Sequence, residues 1–179
     1  MFLRSFFFSF LCCCCCFCSR SEGAPAYAQL SSLTTQIPAS GMPSHFRLDT
    51  TDAIKNIELD SAKEKIIIKE AGIYFFLAAG QIGSTNAASP GYLDFWFTKN
   101  SKPIANSTVR MSVDPSNTTG VLISQSVMEL QAGDTLSIAY TSSGPSIGFI
   151  FTRPDNEPAI PSLILTILKI DSIDSKNNG

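Results

Sequence analysis

The segment GIYFFLAAGQI at positions 72–82 decides the fold that we expect for this chain. In an extended strand, Ile73, Phe75 and Leu77 point to one side, and the aromatic and aliphatic side chains between them point to the other. A strand that is apolar on both faces needs two apolar neighbours. In a two-sheet sandwich one neighbour is the core, and the other is a covering loop or another subunit. The segment therefore predicts a central strand of a sandwich, in a chain that is a candidate for oligomerisation.

The remainder of residues 46–170 repeats this β-type pattern. Short runs rich in Ile, Val, Phe, Tyr and Thr are bounded by Gly, Pro, Asn, Asp and Ser, without a 3.6-residue apolar stripe. These runs are 57–59, 65–69, 92–98, 121–130, 135–140, 147–152 and 162–170. The pattern predicts an all-β domain over 46–170, an antiparallel two-sheet jelly-roll sandwich. The polar residues 29–45 are expected to form a linker before it, and 171–179 a flexible tail.

Composition and charge exclude several classes of function. Hydrophobic residues make up 44% of the chain and charged residues 16%, which is typical of a globular protein with a core. The net charge is -2 and the Lys and Arg residues are scattered, so no surface for nucleic acid is expected. After residue 20, no uninterrupted apolar run approaches the roughly 20 residues that span a bilayer. No membrane span is therefore expected in the mature domain.

All six cysteines lie near the N-terminus, five of them consecutive at Cys12–Cys16. Adjacent thiolates cannot converge tetrahedrally on zinc, and neighbouring cysteines cannot adopt relaxed disulfide geometry. An export signal is favoured instead, because Arg4 precedes the uncharged apolar stretch 5–18, and residues 26–28 have the A-x-A cleavage pattern. Residues 1–28 are therefore interpreted as a cleaved signal peptide, and the protein as secreted or exposed at the cell surface. A retained or acylated anchor and a mis-assigned start codon are the alternatives.

No catalytic or metal-binding constellation is visible in the sequence. Residues 144–148 match the G-x-S-x-G pattern of hydrolases, which requires a helix after the serine and a histidine later in the chain. Here a strand-like run follows Ser146, and the single histidine, His45, lies far upstream. No group of His, Cys, Asp or Glu has metal-ligand spacing. We therefore expect a protein that is not an enzyme and that uses no metal and no cofactor.

Two local features predict loops. In the stretch LQAGDTL at 130–136, Gly133 can adopt a positive φ without strain, and the Asp134 carboxylate can accept a backbone N–H. This stretch predicts a tight antiparallel connection between two core strands. Asn106 and Asn117 begin glycosylation sequons in predicted loops, which matter only if the host glycosylates exported proteins.

Four segments in order resemble the C1q/TNF-like family. IELDSAKEKIIIKEAGIYFFLAAGQI (57–82) resembles the leading half of that domain and contains its Gly-x-Tyr-x-Phe signature. The other three are LDFWFTKNSKPI (93–104), similar to a strand hairpin, SVMELQAGDTLSIAY (126–140), similar to a Leu-x-x-Gly-Asp-x-Leu turn, and PSLILTILKI (161–170), similar to the closing strand. The nearest form is the bacterial head domain at the C-terminus of collagen-like spore-surface glycoproteins. Ser101 departs from the usual hairpin glycine, and no collagen-like stalk is present.

The resemblance implies a ten-strand jelly roll that assembles as a homotrimer and recognises a partner instead of catalysing a reaction. The core signature that it implies comprises Gly72, Tyr74, Phe76, Gly133 and Asp134. The side chains that it places against neighbouring subunits are Ile73, Phe75 and Leu77.

The function expected from the sequence is therefore a secreted or surface-exposed, non-catalytic binding module with an unknown protein or glycan ligand. Loops around 84–91, 100–119 and 153–161 are expected to present its binding surface. The alternative is a structural jelly-roll component of a surface layer, spore coat or virion, in which self-assembly is itself the function.

Overall fold

The computed structural model describes residues 24–39, 41–86, 90–114 and 119–173. Within these ranges the protein contains β-strands and no helix, and two antiparallel sheets pack face to face as a sandwich. The predicted fold class, an all-β sandwich of jelly-roll type, is confirmed. Each of the eight runs that the sequence analysis singled out contains a strand. None of the described residues forms a helix that is long and apolar enough to cross a membrane.

The first sheet contains the long strand over the segment that decides the fold. Its strands are β1 (Tyr27–Ser32), β3 (Thr50–Lys55), β6 (Gly72–Ser84), β10 (Thr119–Leu130), β12 (Ile147–Phe149) and β13 (Leu163–Asp171). They are ordered β10-β6-β13-β1-β3, and β12 pairs with the far end of β6. Every neighbouring pair in this sheet is antiparallel. Strand β6 thus lies inside the sheet, while β10 and β3 form its two edges.

The second sheet covers the inner face of the first. Its strands are β2 (Ser44–His45), β4 (Ile57–Leu59), β5 (Ile66–Ile68), β7 (Gly91–Lys99), β8 (Lys102–Pro103), β9 (Val109–Val113) and β11 (Thr135–Ser142). The order is β4-β5-β11-β7-β8, with β2 paired to β11 and β9 paired to β7. Strand β11 is buried along most of its length because it lies in the middle of this sheet.

Aromatic rings fill the core between the two sheets. Phe149 is fully buried, and its ring lies 4.7 Å from Phe46, 5.1 Å from Tyr140 and 5.7 Å from Phe95, measured between centroids. The contacts with Phe46 and Tyr140 are edge-to-face, the geometry that aromatic quadrupoles favour. Each such pair contributes about 0.5–1.5 kcal/mol beyond its buried area. The core therefore stabilises the sandwich in a domain that has no disulfide.

The N-terminal boundary differs from the sequence analysis. The sequence predicts a cleaved signal up to residue 28 and a linker after it, yet residues 27–32 form β1 between β13 and β3. Ala26 and Ala28 are 3% and 2% exposed, so the core extends to these residues. A cleavage after Ala28 would remove Tyr27 and Ala28 from their pairs with β13. The folded domain therefore begins near Ala26, before residue 46, whereas the cysteine-rich stretch lies outside the described residues.

The connection between β1 and β3 is held by hydrogen bonds to the partly exposed carboxylate of Asp49. Its carboxylate accepts from the backbone N–H of Leu33 at 2.9 Å and from the hydroxyls of Thr34 at 2.9 Å and Ser32 at 3.1 Å. Burial raises the pKa of Asp49, but these bonds and one from Thr50 outweigh it, and the net pKa lies below its ordinary value. The polar residues of this connection thus adopt a defined structure, because their hydroxyls donate hydrogen bonds to the ionised Asp49 carboxylate.

Candidate functional site

The outer face of the first sheet is the candidate functional site. Along β6, Tyr74 and Phe76 are 0% and 1% exposed and contribute to the core. Ile73, Phe75 and Leu77 lie on the opposite face of the strand and remain half-buried. The alternation seen in the sequence thus divides this strand between the core and an outer apolar surface.

Neighbouring strands extend the apolar surface on both sides of β6. On β10, Val121, Ile123 and Val127 are 66%, 52% and 58% exposed. On β13, Ile164 and Leu168 are 37% and 44% exposed. Exposed aliphatic side chains on two strands that flank the same strand form a contiguous patch, not scattered single residues.

The strand register shows which of these side chains are neighbours. Val127, Phe75, Leu168 and Tyr27 stand opposite one another in a row across β10, β6, β13 and β1. A second row contains Ile123, Ala79 and Ile164, again at directly opposed positions. Between the two rows lies one that mixes Leu77 with three uncharged polar side chains, namely Gln125, Thr166 and Gln29. We call the surface formed by these three rows the outer apolar face.

The dimensions of the outer apolar face follow from strand geometry. Four strands about 4.8 Å apart and four residue steps of about 3.4 Å give roughly 14 Å by 14 Å, or about 200 Å². Contiguous exposed apolar patches that are rimmed by polar residues often mark interaction sites. The face is of this kind, although it is smaller than the roughly 800 Å² that each partner buries in a standard interface.

The remaining residues of the core signature serve the fold. Gly72 is buried at the start of β6, where a Cβ would lie 2.6 Å from the backbone oxygen of Asp171. Gly133 adopts a φ of 91°, and the Asp134 carboxylate accepts the backbone N–H of Gln131 at 2.8 Å, so the turn has both features that its sequence predicts. Asp134 also forms an ion pair with Lys99 at 2.8 Å.

The carboxylate of Asp134 joins this turn to the neighbouring hairpin. Burial raises its pKa, but hydrogen bonds from Lys99, the Gln131 backbone and Asn100 outweigh burial, so the net pKa lies below its ordinary value. Asn100 and Ser101 form the hairpin turn with φ of 50° and 65°. Ser101 therefore adopts the left-handed conformation that glycine favours, although it departs from the pattern of the resembling family.

The serine and histidine motifs are not brought together. The Ser84 hydroxyl donates to the Ser146 oxygen at 3.2 Å, and strand β12, not a helix, follows Ser146. The Nδ1 of His45 lies 3.3 Å from the hydroxyl of Ser137, which is itself 2.6 Å from the Thr98 hydroxyl. Ser146 and His45 thus have separate hydrogen-bond partners. Within the described ranges, no group of three His, Cys, Asp or Glu residues is arranged to hold a metal ion.

Ser107, the middle residue of the first glycosylation sequon, forms hydrogen bonds within the fold. Asn106 is exposed with a φ of 61°, whereas Ser107 is 1% exposed and donates to the carbonyl of Ile104 at 2.8 Å. Its oxygen also accepts the backbone N–H of Phe97 at 3.1 Å. Asn117 lies outside the described residues, as do parts of the expected binding loops 84–91 and 100–119.

An exposed cluster on the second sheet was missed by the sequence analysis. Arg110 donates two hydrogen bonds of 2.7 Å to Asp94, and its guanidinium lies 3.8 Å from the centroid of the Tyr92 ring. The three residues come from two strands paired by register, which no local sequence spacing reveals. Because this arrangement satisfies the guanidinium within the protein, it stabilises the pair of strands β7 and β9.

The outer apolar face is therefore the strongest candidate site in the described part of the chain. No protein-family model matches the chain, and no curated protein sequence matches it significantly.

Proposed function

We propose that this protein is a secreted or surface-exposed, non-catalytic interaction module whose sandwich assembles as a homotrimer through the outer apolar face. One observation carries the proposal: exposed apolar side chains continue across four neighbouring strands of one sheet, at positions fixed by the register. The aromatic core between the sheets already stabilises the domain, so the outer apolar face is not required for its folding. Contact with further copies of the chain removes it from water.

The energy available from the face supports oligomerisation with modest affinity. Burial of about 200 Å² of apolar surface stabilises an interface by about 5 kcal/mol at 25 cal/mol per Å². Association costs about 4–15 kcal/mol in lost translational and rotational freedom. Apolar burial alone is therefore comparable with this cost, and polar contacts at the rim are needed for a stable complex.

The number of subunits and the recognition role come from the resemblance to the C1q/TNF-like family. That resemblance implies a trimer, and it implies that Phe75 and Leu77 meet the neighbouring subunits, which agrees with their place on the outer apolar face. The ligand class stays a protein or a glycan, bound by loops at the surface. Export is supported by the uncharged apolar stretch after Arg4.

Light scattering of the purified protein tests the proposal. We expect a particle with three times the mass of the chain at micromolar concentration. Phe75→Asp should give a monomer with an unchanged far-ultraviolet circular dichroism spectrum, because it places a charge in the apolar row that crosses all four strands without touching the core. Met42→Asp is the matched control, since Met42 is 65% exposed but lies in the loop before β2.

Three results, two from light scattering and one from electron microscopy, would contradict the proposal. The first is a wild-type protein that stays monomeric at micromolar concentration. The second is a Phe75→Asp variant that stays trimeric. The third is a large, regular array in electron microscopy, which would favour the structural-shell alternative.

Binding of a ligand is tested on the same proteins. Glycan-array and pull-down measurements are made with wild-type protein and with Phe75→Asp, so that a trimer and a monomer are compared. Three copies of one site raise the apparent affinity through effective concentration, so we expect the wild type to bind more tightly. Equal binding by trimer and monomer would contradict a role for trimerisation in recognition.

A further inference from the structure

Charged side chains stand at one end of the outer apolar face. We call this end the base, because both described termini lie there, with Tyr27 of β1 directly opposite Leu168 of β13. Lys55 on β3 stands opposite Tyr27 and so shares the outer apolar face. Glu129 on β10 stands opposite Ile73, two register pairs or about 7 Å nearer the end of the sheet. An acidic and a basic side chain therefore occupy nearly the same level on the two edge strands.

Glu129 and Lys55 cannot meet within one chain. Four strand spacings of about 4.8 Å separate β10 from β3, or about 19 Å, which exceeds the reach of the two side chains. Neither residue forms an ion pair in the described part of the chain. The Glu129 carboxylate accepts a 3.3 Å hydrogen bond from the Gln131 amide, and its backbone carbonyl accepts one of 3.3 Å from the Lys99 ammonium. Both charges are thus available to a second molecule.

Two other acidic groups near this face are already engaged. The Asp52 carboxylate, also on β3, accepts the Ser31 hydroxyl at 2.9 Å. The Asp171 carboxylate at the end of β13 accepts the backbone N–H of Ser172 at 2.8 Å. Asp52 also disfavours a shifted contact, because a register that moved Glu129 up β3 would oppose two carboxylates.

The direction of the rotation axis that relates two copies determines whether Glu129 of one copy can reach Lys55 of the other. A rotation axis parallel to the strands keeps every residue at its own level, so the β10 edge of one copy meets the β3 edge of the next. A rotation axis perpendicular to the strands reverses the strand direction of the second copy, so Glu129 of one copy then lies far from Lys55 of the other. The charge pattern is therefore complementary to a second copy related by an axis along the strands.

We propose that neighbouring subunits meet head to tail, with Glu129 of one copy paired to Lys55 of the next at the base of the outer apolar face. This inference rests on the proposed homotrimer and specifies its geometry. All N-termini and C-termini then lie at one end of the assembly. The connections at the far end of β6, including residues 143–146, lie together at the other end, where they face away from the termini.

Charge reversal tests the pairing. Glu129→Lys and Lys55→Glu are each made in the full chain, together with the double variant, and the dissociation constant is measured by analytical ultracentrifugation. We expect each single reversal to weaken association by at least about tenfold, since an attraction becomes a repulsion at every interface. The double variant should recover most of the wild-type affinity. Lys102→Glu on β8 of the other sheet is the control, and we expect it to leave the dissociation constant unchanged.

The outcomes separate this inference from the proposed function. A wild-type trimer whose dissociation constant does not respond to either reversal would overturn the pairing and leave the trimer standing. Failure of the double variant to recover would also overturn it, because two independent effects would then explain the single variants. A wild-type monomer would remove the proposed function itself.

Discussion

At the scale of single residues, Tyr74 shows how one side chain links core burial to a specific polar contact. Its ring is fully buried, and its hydroxyl donates to the carbonyl of Glu70 at 2.7 Å. Tyr74→Phe keeps the ring and removes the hydrogen bond, so we expect the free energy of unfolding to fall by about 1 kcal/mol. Tyr140→Phe is the control, because its hydroxyl has no hydrogen-bond partner in the described ranges. Equal losses in the two variants, measured by urea denaturation, would contradict this role for the Glu70 contact.

The same tyrosine predicts the alkaline limit of stability. Burial, and then the nearby charge of Glu70, raise the pKa of Tyr74 to about 12 from an ordinary value of 10. The folded protein therefore keeps a proton that the unfolded chain loses above pH 10, and stability falls as the pH rises from about 10 to about 12. Tyr74→Phe should show a smaller fall over this window.

Local residue chemistry could be predicted where all the partners lie close in sequence. The Gly133 and Asp134 turn is of this kind, since the donor, Gln131, is three positions from the acceptor. The cluster of Arg110, Asp94 and Tyr92 is not, because its members meet only through the pairing of two strands. The sequence alone gives the residue types of such a cluster but not the strand register that brings them together.

At the scale of elements, β12 depends on a close backbone approach. Phe149 exchanges two backbone hydrogen bonds of 2.9 Å with Gln36, which brings the segment after β1 against β12. A Cβ on Gly148 would lie 2.3 Å from the Gln36 oxygen and 2.9 Å from the Ile37 Cα, and backbone atoms cannot move aside cheaply. Gly148→Ala should therefore lower the free energy of unfolding by about 2 kcal/mol through overpacking.

Gly144 provides the matched control for this prediction in the same connection. The nearest atom to its added Cβ is the Ile147 Cδ1 at 3.6 Å, which is an ordinary contact. Gly144→Ala should thus change stability by no more than about 0.5 kcal/mol. Similar midpoints of chemical denaturation for the two variants would show that the close approach at Gly148 has no energetic weight.

Strand β1 shows why some strands, among them β3 and β9, escaped the sequence analysis. The stretch Gln29–Ser32 reads as polar, yet Ser31 and Ser32 are 4% and 0% exposed. Their hydroxyls donate to Asp52 and Asp49, which lie 21 and 17 positions away. A buried hydroxyl is stable once it is hydrogen-bonded, so polarity alone did not indicate a linker. The eight predicted strands were identifiable because their burial is apolar and therefore visible in composition.

At the scale of the whole molecule, the alternation in β6 predicted two apolar faces but not the extent of the second. That extent depends on Val127, Leu168 and Tyr27 standing in one row with Phe75. Each comes from a distant part of the chain, and a shift of one residue in any strand would turn its side chain to the other face. The site is therefore a property of the register, which the sequence pattern of one strand does not contain.

Assembly of the trimer and folding of each chain are thermodynamically coupled. If the outer apolar face is buried in a trimer, dilution favours the separated chains and lowers the melting temperature. A hundredfold increase in protein concentration should stabilise each chain by about 2 kcal/mol and raise the melting temperature by roughly 5 °C for a domain of this size. Phe75→Asp should melt at a temperature independent of concentration, while Met42→Asp should follow the wild type. A wild-type melting temperature that does not change with concentration would mean that the face is not buried between copies of the chain.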